Sequence, residues 1–153
     1  MAITNTSTPA TLRPSKVRRI VLDEHKEIRK QMNEIERLTI VKDLVGLGHA
    51  VLVFQKTFKA HLLHEEAILW PILESLDSWG PVRIERMSKE HQEQRLQIDN
   101  LSNLRKAGSV NNMIKVIRDL MTILSADMNA EESEFLNPEL MRDDVVNTGS
   151  FGG

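Results

Sequence analysis

Leu44, Leu47, Val51, Phe54, Phe58, His61, Glu65 and Ile68 follow one another in alternating steps of three and four. Such spacing lines up on one side of an α-helix, whose 3.6-residue turn stacks positions i, i+3, i+4 and i+7 into a stripe. Three further segments carry the same signature. Val17, Val21, His25, Ile28, Met32 and Ile35 make the first stripe, and Ile84, Met87, His91, Gln94, Ile98 and Leu101 the third. Ile117, Leu120, Leu124, Asp127, Glu131 and Phe135 make the fourth. The segments are separated by short breaks near residues 39–42, 77–81 and 107–109, and short connections make sequential helices antiparallel neighbours. Ser15, Asp43 and Ser109 can cap the first, second and fourth segments, and Pro81 suits the first turn of the third. Tyrosine is absent and no strand-like alternation competes. The expected fold is all-α, an antiparallel up-down-up-down four-helix bundle.

The stripes lie within residues 15–140, which read as one domain, and a chain of 153 residues can bury one core without help from disulfides. Residues 1–14 and 141–153 are aperiodic and rich in small polar residues, so both are expected to be disordered tails. With 27% charged residues and a net charge of −2, no charge-driven nucleic-acid or membrane partner is implied. There is no cysteine, which excludes disulfides and thiolate metal sites. No apolar run approaches the ~20 residues of a membrane span, and the first residues lack the layout of a signal peptide. The default expectation for location is cytoplasmic.

The informative residues are those that interrupt the stripes: His25, His61, Glu65, His91, Gln94, Asp127 and Glu131. An internal repeat links them. His25 and His91 are 66 positions apart, as are His61 and Asp127, and Glu65 and Glu131. Glu24-His25 recurs as Glu90-His91, and Glu65-Glu66 as Glu131-Glu132. Core positions keep the same offset, Val51 with Ile117, Phe54 with Leu120 and Phe58 with Leu124, so the chain reads as two copies of one helical hairpin. His25 and His91 each fall about ten residues into their helices, roughly 15 Å, while His61 and Asp127 fall a similar distance before Pro71 and Pro138. In an antiparallel bundle these residues meet in one layer. Any one of the histidines could be an ordinary hydrogen-bonded core residue; the shared layer is what points elsewhere.

Buried carboxylates and imidazoles are costly unless paired, and a multivalent cation removes that cost. His61/Glu65 and Asp127/Glu131 are i, i+4 pairs that can each deliver two ligand atoms into one cavity. Six inward ligands exceed one tetrahedral zinc and suit two metal ions bridged by carboxylates. Adjacent residues rotate off the stripe: Glu24, Glu66 and Glu90 are read as solvated charge and His64 as a surface residue or a support for a ligand. His49 is placed at the far end of the bundle, and Trp70 and Phe135 near the polar layer.

LDEH (22–25), HLLHEEAILWP (61–71), SKEH (88–91) and DMNAEESEFLNP (127–138) together resemble the hemerythrin-like, HHE cation-binding family, over about residues 16–138. The resemblance implies a non-haem di-iron centre, two iron ions with an oxo, hydroxo or water bridge, that takes dioxygen, peroxide or nitric oxide. His25, His61, Glu65 and His91 carry over directly. Where the family usually has a helix-four histidine this chain has Asp127, and the nearest counterparts of the second helix-three histidine of the oxygen carriers are Met87 and Arg95. Such an oxygen-rich centre favours the ferric state and peroxide- or oxygen-reducing chemistry over reversible carriage, and it admits manganese or zinc. Asp127 is either a ligand or an acceptor that orients one. The repeat selects Glu131 as the helix-four ligand, whereas counting back from the following proline selects Glu132. The alternatives are an iron- or oxygen-sensing or metal-storage protein without turnover, and a degenerate structural bundle. No protein partner is indicated.

Overall fold

The computed structural model describes residues 12–144. Residues 1–11 and 145–153, most of the two expected tails, lie outside the described residues. The chain forms α1 (Pro14–Val41), α2 (Leu44–Ile68), a short α3 (Trp70–Ser75), α4 (Gly80–Asn100), a 3-10 extension of α4 over Leu101–Ala107, and α5 (Val110–Glu134). α1 packs on α2 and α5, and α2 packs on α4, with the 3-10 extension against α5. The four long helices make the antiparallel up-down-up-down bundle that the stripes require, and no strand occurs among the described residues. None of the described helices is long and apolar enough to cross a membrane.

The helix ends follow from local chemistry. Asp43 accepts the backbone N–H of Gly46 at 3.0 Å and Ser109 that of Asn112 at 3.2 Å, so both side chains satisfy amides left free at a helix start. Pro81 occupies the first turn of α4, where its missing N–H costs nothing. Ser15 differs from expectation. α1 opens one residue earlier, at Pro14, and the Ser15 amide and hydroxyl both bond Asp143, at 2.9 and 2.8 Å. Met141 is buried, and Leu12 packs against the apolar cluster to which Met141 belongs. Gly80 is required by a close approach: a Cβ there would lie 1.9 Å from the Glu74 carbonyl oxygen.

The apolar interior has two parts. The larger includes Ile28, Ile35, Leu47, Phe54, Phe58, Ile98, Ile117 and Leu124, and fills the bundle from its α1–α2 turn to its middle. The smaller, with Val17, Val21, Leu69, Leu73, Met87, Phe135 and Leu136, closes the opposite end. Each fully buried side chain of this size contributes about 1.5–3 kcal/mol of transfer free energy. Between the two parts lies a layer that is equally buried and not apolar.

Candidate metal centre

That layer is where the interrupted stripes converge. His25 and His91 lie eleven residues after the first residues of α1 and α4 (Pro14 and Gly80), and His61 lies seven before the last of α2 (Ile68). Alternation of helix direction therefore brings them to one height. His25 is 0% exposed, Glu65 1%, His91 2% and His61 5%. His25, His61, Glu65 and Glu131 each offer a ligand atom, and these four atoms lie within 4.8 Å of one another.

Glu65 is the hub. Its Oε1 faces the Nε2 atoms of His61 and of His25, the latter at 3.5 Å, while its Oε2 faces Nε2 of His91 at 3.2 Å. Glu131 Oε1 stands 3.2 Å from His25 Nε2. His25 Nε2, Glu65 Oε1 and Glu131 Oε1 are nevertheless buried without a hydrogen bond, a state costing about 1–3 kcal/mol per group. Three orphaned donor atoms aimed at one another are what a cation would satisfy, and imidazole with carboxylate is a donor set suited to iron, manganese or zinc. The residues fit a metal ion.

The other ring nitrogens are held from outside. His25 Nδ1–H donates to Glu132 at 2.8 Å, His61 Nδ1–H to Glu24 at 2.8 Å, and His91 Nδ1–H to Glu66 at 3.2 Å. These bonds select the tautomer whose Nε2 lone pair points inward. Arg29 steadies Glu132, and Arg95 steadies Glu66 at 2.7 Å. His64, largely exposed, shares Glu24 with His61. Phe58 and Trp70 pack beside the imidazoles, with ring centroids 5.8 Å from His61 and 5.0 Å from His91.

The electrostatics follow from this packing. Burial by itself lowers the His25 imidazole, but Glu131, Glu65 and Glu132 outweigh it and raise the pKa to about 10. Burial likewise works against His61, and Glu24 and Glu65 raise it to about 9. His91 is raised by Glu65 and Glu66 against the same opposition. Glu65 is also opposed by burial, yet the three imidazoles hold it well below the usual carboxylate range. Glu131 goes the other way: burial, then the Glu65 charge, push it up to about 7. Without a cation, protons on the imidazoles balance the carboxylates.

The structure thus brings His25, His61, His91, Glu65 and Glu131 together. Glu132 turns to the far side of His25 and to Arg29. Asp127 stands at the edge, half-buried, outside the four-atom group, with its Oδ2 accepting the Gln94 side-chain amide at 3.1 Å. His49 is exposed, as expected at the far end. Glu24 and Glu66, expected as solvated charge, are instead partly buried acceptors for imidazoles on the next helix. Their signal was present in the recurring Glu-His and Glu-Glu doublets.

A helical bundle with a buried imidazole and carboxylate layer defines a cation-binding helical protein. The family model of the hemerythrin HHE cation binding domain matches residues 17–137, and the chain belongs to that family. Comparison with curated proteins and with solved structures gives no match.

Proposed function

We propose that the centre holds two metal ions, iron foremost, and binds or reduces a small oxidant or diatomic molecule: dioxygen, peroxide or nitric oxide. The observation that carries this reading is the two-sided use of Glu65. One of its oxygens faces the Nε2 atoms of His25 and His61 and the other faces that of His91, so a single carboxylate addresses two groups of ligands. His25, His61 and Glu131 would hold one ion and His91 the other, with Glu65 between them and Asp127 within the second ion's neighbourhood. Bound there, a pair of redox-active ions would supply open coordination positions and electrons for a small oxidant. The chain's own residues supply the rest. Glu24, Glu66 and Glu132 keep the imidazoles in the ligating tautomer, and Phe58, Trp70, Leu69 and Met87 keep bulk water from the layer. Exchange of an imidazole for Asp127 makes the ligand set richer in oxygen, which favours the higher oxidation state and reduction of the bound molecule over its reversible carriage. The working unit is the bundle of residues 15–140, in the cytoplasm.

The test is anaerobic reconstitution of the full chain with ferrous iron, followed by metal analysis and by mixing with dioxygen, hydrogen peroxide or nitric oxide. About two irons per chain are expected, with new near-ultraviolet absorbance after oxidation. Retention of a single ion, or of none, would overturn the two-ion reading. Two retained ions with no spectral response to any of the three molecules would favour storage.

A further inference from the structure

Each inward residue contributed by Glu-His or Glu-Glu has a glutamate beside it in the chain, and three of those glutamates reach across to the next helix. Glu24 on α1 receives the Nδ1–H of His61 on α2, Glu66 on α2 that of His91 on α4, and Glu132 on α5 that of His25 on α1. Helical geometry explains the common direction. A residue next to an inward-facing one is rotated about 100° around the helix axis. On α1 and α4 the glutamate precedes the inward histidine, whereas on α2 and α5 it follows the inward glutamate. Those two pairs of helices also run in opposite directions, so the two reversals cancel and all such carboxylates turn the same way round the bundle.

Glu90 is the fourth, one position before His91 and turned toward α5. It is 66 positions after Glu24, as Asp127 is 66 after His61, so Asp127 occupies the place where the other three carboxylates meet an imidazole. An ionised aspartate only accepts hydrogen bonds, and Asp127 already accepts one from Gln94. Glu90 makes no hydrogen bond to it.

Resting on the metal-holding role above, we propose that Glu24, Glu66 and Glu132 are positioning residues that lock the three imidazoles with Nε2 toward the cations. Glu90 is a fourth such acceptor, preformed for an imidazole at position 127 that this chain has exchanged for a carboxylate. The ring of hydrogen bonds is therefore open at its α4–α5 quarter.

Zinc, which neither gives nor takes electrons, is the probe, titrated into the full chain against a chromophoric chelator. Glu24→Gln, Glu66→Gln and Glu132→Gln should each weaken binding by about 10–100-fold. Glu90→Gln should cost less than about 3-fold in the natural chain. In Asp127→His, which should itself bind zinc more tightly, the cost of Glu90→Gln should rise to about 10-fold or more. Nitrogen-15 histidine spectra give a second readout: three exchange-protected Nδ1–H signals are expected, one lost when the matching glutamate is replaced in Glu24→Ala, Glu66→Ala or Glu132→Ala, which leave no acceptor. A fourth should appear in Asp127→His and vanish when Glu90→Ala is added. Equal cost of Glu90→Gln in both backgrounds, or zinc affinity and Nδ1–H signals unmoved when the other three glutamates are replaced, would overturn the proposal. A natural chain that holds no zinc would sink the metal role instead, and the Nδ1–H signals would still decide the ring.

Discussion

The two hairpins of the bundle share their backbone and differ in their chemistry. Pro14 and Gly80 open their first helices, Leu44 and Val110 their second, and Ile68 and Glu134 end them, each pair 66 positions apart. The turns correspond as well: Lys42 and Gly108 both take positive φ, 56° and 87°, and Asp43 and Ser109 both cap the helix that follows. Yet the first hairpin supplies His25, His61 and the hub Glu65, while the second supplies His91, Asp127 and the less buried Glu131. The second is also the less regular, since its first helix tightens into a 3-10 segment over Leu101–Ala107 where α1 stays α-helical to Val41. Leu38 is buried, whereas its counterpart Leu104 is only partly so. The backbone register is common to both copies because packing depends on it, whereas the inward polar residues, confined to one layer, differ between them.

The largest effect expected from breaking this asymmetry is at the paired carboxylates. Glu65→Ala removes the group that faces all three imidazoles and should abolish metal retention, whereas Glu131→Ala should weaken it by about 10–100-fold. In metal-free protein Glu65→Ala leaves buried imidazoles without their counter-charge and should cost about 3–5 kcal/mol in urea unfolding. Equal losses for the two variants would show that the hairpins contribute equally. Next come the paired core positions: Phe54→Ala should cost about 4 kcal/mol and Leu120→Ala, at a slightly exposed site, about 2 kcal/mol.

The dependence of stability on pH differs in sign between the groups. Glu65, with the milder Glu24, Glu66 and Glu132, is depressed in the fold, so its contribution is present above the ordinary value of 4.5 and is lost as pH falls. His25 and His61 are raised, so theirs is full below 6.5 and is lost as pH climbs toward about 10 and about 9. Glu131, raised to about 7, also destabilises the fold as pH rises from 4.5. Metal-free protein should therefore be most stable in mild acid, near pH 5–6. Cation-loaded protein should gain stability with rising pH over the neutral range, because ligation requires unprotonated imidazoles. Urea midpoints between pH 4 and pH 10, with and without zinc, check both limbs.

The smallest effect sharpens the comparison at the turns. Lys42 holds a left-handed conformation that its counterpart Gly108 adopts without strain, so Lys42→Gly should stabilise the first hairpin by up to about 1 kcal/mol. A thermal midpoint that falls would mean that the lysine side chain contributes packing or charge that outweighs its backbone strain.

Helix stripes, caps and repeat were legible in the chain because each depends on residues a few positions apart. Asp43 and Ser109 cap as read, and the interrupted stripes mark the layer in which His25, His61, His91, Glu65 and Glu131 meet. Ser15 has a capping residue's chemistry but bonds Asp143, which comes from the far end of the chain. Glu131 and Glu132 are equivalent along the sequence for a similar reason, and differ only in which partners each one faces.

The periodic spacing of apolar residues by itself determined that this protein is a bundle of four helices with a polar layer, since a stripe's face and height follow from 3.6 residues per turn. Only the tertiary structure decided that Glu24, Glu66 and Glu132 serve the imidazoles of other helices, that Glu65 divides its oxygens between two sets of them, and that Asp127 pairs with Gln94. Those pairings join groups from different helices, and their energies arise from burial and charge in a shared interior that no single segment of the chain contains.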